Sequence, residues 1–164
     1  MEELDKALGI CVTGPLKQQA LDEFAGHMAA WGITMPSVEP LVLDFGLRDL
    51  DGVGLIEYWV ANECDAGYCA KFLFVRDRQS CPMHLHREKM ETFFVVKGKA
   101  WMHYKGKVWL MSEGDTLSVQ TNQIHGFTGQ GPCLLLEVSK PCHIDDNFFE
   151  DRRIPIGGNH RRLH

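Results

Sequence analysis

The chain has 164 residues, 45% of them hydrophobic and 24% charged, the make-up of one globular domain with a true core. Its 17 basic and 22 acidic residues give a net charge of −5 with histidine neutral, which argues against a nucleic-acid groove. No apolar run approaches the ~20 residues needed to cross a bilayer. The opening Met-Glu-Glu-Leu-Asp-Lys lacks the basic-then-apolar order of a secretory signal, so a cytoplasmic protein with no membrane partner is expected.

Residues 1–40 read as a helical segment. Thr13-Gly14-Pro15 supplies a cap and a proline for a first turn, Leu21, Phe24, Met28 and Trp31 recur at helical spacing, and Gly32 ends the run. That stripe is expected to pack on the outside of a sheet, with His27 beside it at the surface. From residue 41 the pattern changes to short strands, at 41–45, 55–61, 68–75, 92–96, 100–104, 108–111, 116–119, 125–128 and 133–139, punctuated by Gly, Asp and Asn. Lys105-Gly106 makes the clearest hairpin turn. Strands of this kind predict an all-β sandwich or small barrel over residues 41–156, followed by a tail at 157–164. The six cysteines (Cys11, Cys64, Cys69, Cys81, Cys133, Cys142) contain no CxxC pair, and Cys69 and Cys133 sit in apolar runs, so reduced thiols are expected.

The chemistry concentrates in Cys81-Pro82-Met83-His84-Leu85-His86, followed by Glu91. Alternate residues of a strand share a face, so His84 and His86 would aim their imidazoles at one point. Glu91 opens the next strand-like run and could carry a carboxylate toward them. A turn at Thr121-Asn122-Gln123 would then deliver a third imidazole, His125. Three neutral imidazoles and a carboxylate suit a divalent first-row metal such as Mn, Fe, Co, Ni or Zn, and leave coordination positions open for substrate. Cys81 lies near the site without the marks of a nucleophile, and His103 has no partner at ligand spacing.

These spacings resemble the cupin motifs. HxH, four residues, Glu, six residues, Gly are met by His84, His86, Glu91 and Gly98; the second motif is met by Gly114 and, eleven positions later, His125. Arg78 stands where the first motif usually has Gly, and Gln120 where the second usually has Pro. The resemblance implies a cupin double-stranded β-helix, a jelly-roll barrel. A tighter one covers residues 41–156. Asp44-Phe45-Gly46-Leu47, Tyr68-Cys69-Ala70-Lys71, Glu137-Val138-Ser139 and the run from Asp145 to Ile154 are similar to the D-lyxose isomerase family. That family implies an Mn²⁺-dependent aldose–ketose isomerase acting on D-lyxose/D-xylulose or D-mannose/D-fructose, and small cupins imply a homodimer.

Aldose–ketose exchange needs a Lewis acid and a base. Glu137, in the apolar run Leu134-Leu135-Leu136-Glu137-Val138, is the first candidate base, and an inward position should raise its pKa toward the working pH. Lys71, in an otherwise apolar strand, could hydrogen-bond a sugar oxygen and share in charge stabilisation. Asp146 and Arg153 could close the barrel mouth over a polyol, and Gln123 could offer a pocket-lining amide. Arg152, Arg153, Arg161 and Arg162 are the only basic cluster, near the tail, so an unphosphorylated sugar is expected. Two other classes remain open: an Fe(II) cupin dioxygenase, which would want an apolar pocket without an inward Lys–Glu pair, and a noncatalytic metal-dependent sugar-binding cupin.

Overall fold

The computed structural model describes residues 2–160. The helical preface is two helices, α1 (Glu2–Leu8) and α2 (Gly14–Trp31). Pro15 lies in the first turn of α2, where its missing N–H costs no helical bond. Gly32 ends the helix at φ 67°, and its N–H and that of Ile33 return to the carbonyls of Ala29 and Met28. Ala20, Phe24 and Met28 are the buried stripe, packed on Val42, Ile56, Phe74 and Leu134, the outer face of a sheet as expected. His27 is half-buried between the Trp31 and Phe74 rings, each 5.7 Å away, and is not a surface residue.

Among the described residues eleven strands follow: β1 (Leu41–Leu43), β2 (Leu55–Glu63), β3 (Tyr68–Val75), β4 (Ser80–Leu85), β5 (Glu91–Lys97), β6 (Lys99–Tyr104), β7 (Lys107–Ser112), β8 (Thr116–Val119), β9 (His125–Gly129), β10 (Cys133–Ser139) and β11 (Phe148–Phe149). They form a six-stranded sheet, β1-β2-β3-β10-β5-β8, and a five-stranded sheet, β11-β4-β9-β6-β7. Every pairing between these strands is antiparallel. The first strand is shorter than its apolar run because Phe45 and Gly46 take φ of 55° and 73° and turn the chain. The Lys105-Gly106 hairpin has both residues at positive φ, 52° and 72°, as a type I′ turn requires.

Alternation decides what each strand sends inside. Cys69, Leu73 and Val75 of β3 and Cys133 and Leu135 of β10 enter the space between the sheets, whereas Phe72, Phe74 and Leu134 meet α2. Lys71 and Glu137 have the parity of the inward set, are buried, and face each other as cross-strand partners. Their inward direction is thus fixed by the same pleat that buries the apolar neighbours.

The two departures from the cupin pattern leave the turns in shape. Arg78 adopts the left-handed conformation usual for glycine, φ 61°, and its N–H bonds Gly129 O at 3.0 Å. Gln120 uses the N–H a proline would lack, donating it to the Tyr104 hydroxyl at 3.2 Å. At Gly98, φ is 80° and a Cβ would collide with the Pro132 carbonyl, so the motif glycine is required where β5 crosses to β6. All six cysteines are free thiols. No described helix is long and apolar enough to cross a membrane.

Candidate active site

Strand register assembles the donors. His84 on β4 and His125 on β9 are cross-strand partners in the five-stranded sheet, and His86 lies one residue beyond the end of β4. The Asn122 N–H bonds His86 O at 2.6 Å, tying the turn before His125 to the strand that carries the first two imidazoles. Glu91, the first residue of β5, reaches across from the other sheet. All four side chains are buried, and their ligand atoms lie within 4.8 Å of one another.

The hydrogen bonds fix which ring nitrogen faces inward. Each Nδ1 meets a main-chain carbonyl: His84 with Pro82 O at 2.7 Å, His86 with Asp146 O at 3.1 Å, His125 with Gln123 O at 2.9 Å. A carbonyl can only accept, so each Nδ1 carries the proton and each neutral ring presents an Nε2 lone pair to the centre. Burial, then the neighbouring His125 and His86, keep His84 neutral well below the usual pKa of 6.5; burial, then the Lys89 charge, lower His86 as well. Glu91 Oε1 lies 2.5 Å from His125 Nε2 and 3.5 Å from His86 Nε2, and none of these three buried atoms has a hydrogen-bond partner. Lone pairs of an anion and two neutral imidazoles at such separations repel unless a cation sits among them. The donor set therefore fits a divalent metal, with the outer ring nitrogens oriented as metal-ligating histidines require.

Beside the donors runs a narrow cavity of about 50 Å³, lined by His84 and Glu91 and by four further charged groups, Glu57, Lys71, Lys89 and Glu137. Lys89 Nζ bridges two carboxylates, 2.6 Å from Glu91 Oε2 and 2.8 Å from Glu137 Oε1. Burial alone would raise the Glu137 pKa, but the Lys89 charge, aided by Lys71, outweighs it and holds the group below 4.5. The expected rise is thus reversed: Glu137 is buried and ionised. Glu91 follows the same balance: burial would raise its pKa, and the charge of Lys89 beside it outweighs that and holds it well below the usual 4.5. Lys71 lies 3.2 Å from Cys142 Sγ, 3.8 Å from Glu57 Oε2 and 4.1 Å from the centre of the Trp59 ring. Burial disfavours its charge, but Cys142, Glu57 and Glu137 together raise its pKa and keep it an ammonium. The Cys81 thiol lines the cavity, and burial pushes its pKa well above 9.0, so it is inert there.

Three candidates do not reach the cavity with their side chains. Arg153 points to solvent, pairs with Asp151 at 2.6 Å and is not in the cavity wall, to which Phe45, Asn147 and Phe149 contribute. Gln123 contributes its main-chain carbonyl to His125, and its amide is not in the cavity wall. The Asp146 carboxylate is taken up by the N–H groups of Arg87, Glu88 and Lys89. Arg161 and Arg162 lie outside the described residues. Lys89 and Glu57 were not anticipated. Lys89 sits in a charged loop that reads as solvated, and Glu57 opens the alternating Glu57-Tyr58-Trp59-Val60, which gives no sign of which face is covered.

The fold and the donor set define a cupin, and residues 73–139 match the cupin domain family. Residues 17–103 match the D-lyxose isomerase family model, and the chain belongs to that family. It is 30% identical to a D-lyxose ketol-isomerase of a Thermofilum species, over 70% of this chain and 79% of that protein. It is 29% identical to the D-lyxose/D-mannose isomerase of Thermosediminibacter oceani, over 69% of this chain and 77% of that protein. Among solved structures, an L-ribose isomerase of Cellulomonas parahominis superposes with a TM-score of 0.71 at 16% identity, over 88% of this chain and 95% of that chain.

Proposed function

We propose that this chain is a metal-dependent aldose–ketose isomerase acting on a small unphosphorylated sugar, of the D-lyxose/D-xylulose or D-mannose/D-fructose kind, with Mn²⁺ as its native ion. The observation that carries the reading is a buried, ionised Lys–Glu network beside a donor set with open positions. The relatives' names supply the sugar class. When bound, a divalent ion at His84, His86, Glu91 and His125 supplies Lewis acidity toward neighbouring oxygens of an open-chain sugar.

The net change moves one hydrogen from C2 to C1 and one from O2 to O1. Glu137 is the group that takes the C2 proton and returns it to C1. Both Lys89 and Ser139 donate to its Oε1, at 2.8 Å each, which leaves Oε2 to the cavity as the proton acceptor. Lys89 keeps that carboxylate ionised, so an unprotonated oxygen is in place before substrate arrives, and Lys71 donates to an oxygen on which negative charge develops. Four charged side chains in the wall also disfavour the oxygenase alternative, for which an apolar pocket would serve.

The test is to strip the protein with a chelator, restore single divalent ions, and follow D-lyxose and D-mannose against their ketoses. Ketose formed only on restoration, most with Mn²⁺, is the expected result; oxygen uptake, or no conversion with any ion, would overturn the reading. We also read the chain as a cytoplasmic homodimer. Tyr68, Phe94 and Val138 are exposed on the outer face of the six-stranded sheet, and light scattering at the mass of a single chain would refute the dimer.

A further inference from the structure

The stretch Arg87-Glu88-Lys89-Met90 joins the second imidazole to the carboxylate ligand, and it has no regular structure of its own. Such a loop wanders unless it is tied. Here three successive N–H groups converge on one carboxylate. Arg87 donates to Asp146 Oδ1 at 2.9 Å, Lys89 to Oδ2 at 3.0 Å, and Glu88 to both oxygens at 3.2 Å. The main-chain carbonyl of the same residue accepts from His86 Nδ1 at 3.1 Å. A single buried residue thus sets the orientation of one ligand and the path of the chain leading to Lys89 and Glu91.

Asp146 is itself seated by the N-terminal helix. It ends the short turn Ile144–Asp146, whose first N–H donates to a Glu3 carboxylate oxygen at 2.6 Å, while Lys6 pairs with Asp145 at 3.3 Å. We propose that Asp146 is a positioning residue through which α1 holds the metal-ligand loop in register. Its carboxylate acts as an anion in a nest of backbone N–H groups, a task an amide cannot repeat, since asparagine offers one acceptor oxygen and turns an NH₂ toward the remaining donors. The kinetic part of this inference rests on the isomerase reading; the metal-binding part does not.

The experiment titrates Mn²⁺ into metal-free wild type, Asp146→Asn and Val95→Ala by calorimetry, with thermal melting in parallel. Val95 is a core residue of β5 outside the cavity wall and reports plain loss of stability. Asp146→Asn should bind Mn²⁺ roughly 10–100-fold more weakly, and at saturating metal its kcat should fall with little change in KM, because Lys89 is no longer held. Val95→Ala should lower the melting temperature and keep the affinity. Unchanged affinity in Asp146→Asn overturns the proposal. Should that variant fail to fold, Glu3→Ala decides: several-fold weaker binding supports the linkage, and wild-type affinity overturns it. A wild type that binds Mn²⁺ yet converts no sugar counts against the isomerase alone, whereas one that takes up no divalent ion overturns both.

Discussion

The five-stranded sheet brings His84 and His125 to the cavity, with His86 just past the end of β4. All three side chains are neutral donors whose protons point away from the centre. The six-stranded sheet brings Glu57, Lys71 and Glu137 on three adjacent strands, and Glu91 on the next. Every one of these can carry charge, and only Glu91 crosses to join the imidazoles. The division separates two tasks. Neutral nitrogens on one wall can hold a cation without competing for protons, while paired charges on the other can exchange protons without displacing the ion. Lys89, from the loop between the walls, touches both sets through Glu91 and Glu137.

If the division holds, variants on the two walls should fail differently. His125→Ala should lose bound metal and with it all measurable isomerisation, because a fully buried donor is replaced by nothing. Glu137→Gln should lose about 10²–10⁴-fold in kcat while keeping wild-type metal content, since its carboxylate is not among the four donors. Metal analysis alongside steady-state kinetics checks both. Loss of metal from Glu137→Gln would erase the distinction between the walls, and turnover retained in it would remove Glu137 as the base.

Acid should reach the imidazole wall first. In the metal-free protein burial lowers the pKa of His84 and His86 below 6.5. Between that value and their folded pKa values the unfolded chain binds protons that the folded chain refuses, so stability is full above about pH 6.5 and falls as the pH drops below it. Glu91 and Glu137, held below 4.5 chiefly against burial by Lys89, lose their share only at lower pH. The lysines act at the other end: Lys71 and Lys89 are raised above 10.5 by the surrounding anionic groups despite burial, so their share is present below that value and lost as pH rises above it. A melting temperature of the metal-free protein that stays level from about pH 7 to pH 5 would contradict this order.

The two walls also differed in how far they could be read in advance. His84, His86, Glu91 and His125 were legible because coordination imposes spacing: alternate residues on a strand, a set loop, and a turn before the third ring. The inward direction of Lys71 and Glu137 was only half legible, since a pleat has two faces and α2 covers one of them. The sign of the Glu137 shift was not legible at all. An apolar run around a carboxylate predicts a raised pKa, but the charge that reverses it comes from Lys89, 48 residues away in the chain. Glu57 is hidden for the same reason. Asp146 read as a group that could close the barrel mouth over a polyol, because nothing near it in sequence announces the three N–H groups it binds.

The smallest effect lies where the chain passes from one wall to the other. The link from β3 to β4 turns through Arg78 at φ 61°, and the link from β5 to β6 through Gly98 at φ 80°. The left-handed conformation costs a residue with a Cβ about 1–2 kcal/mol, whereas glycine adopts it freely and gives up about 0.5–1 kcal/mol in unfolded-state entropy. The Arg78 side chain offers little in return, because it is 92% exposed and reaches only Asp77 at 3.6 Å. Its N–H bond to Gly129 O is a main-chain bond that glycine keeps. Arg78→Gly should therefore raise the melting temperature by about 1–3 °C and leave metal affinity and kcat as they are. A lower melting temperature would mean that the side chain stabilises the crossing through contacts beyond Asp77. A changed metal affinity would mean that this turn, and not strand register alone, sets the distance between the walls.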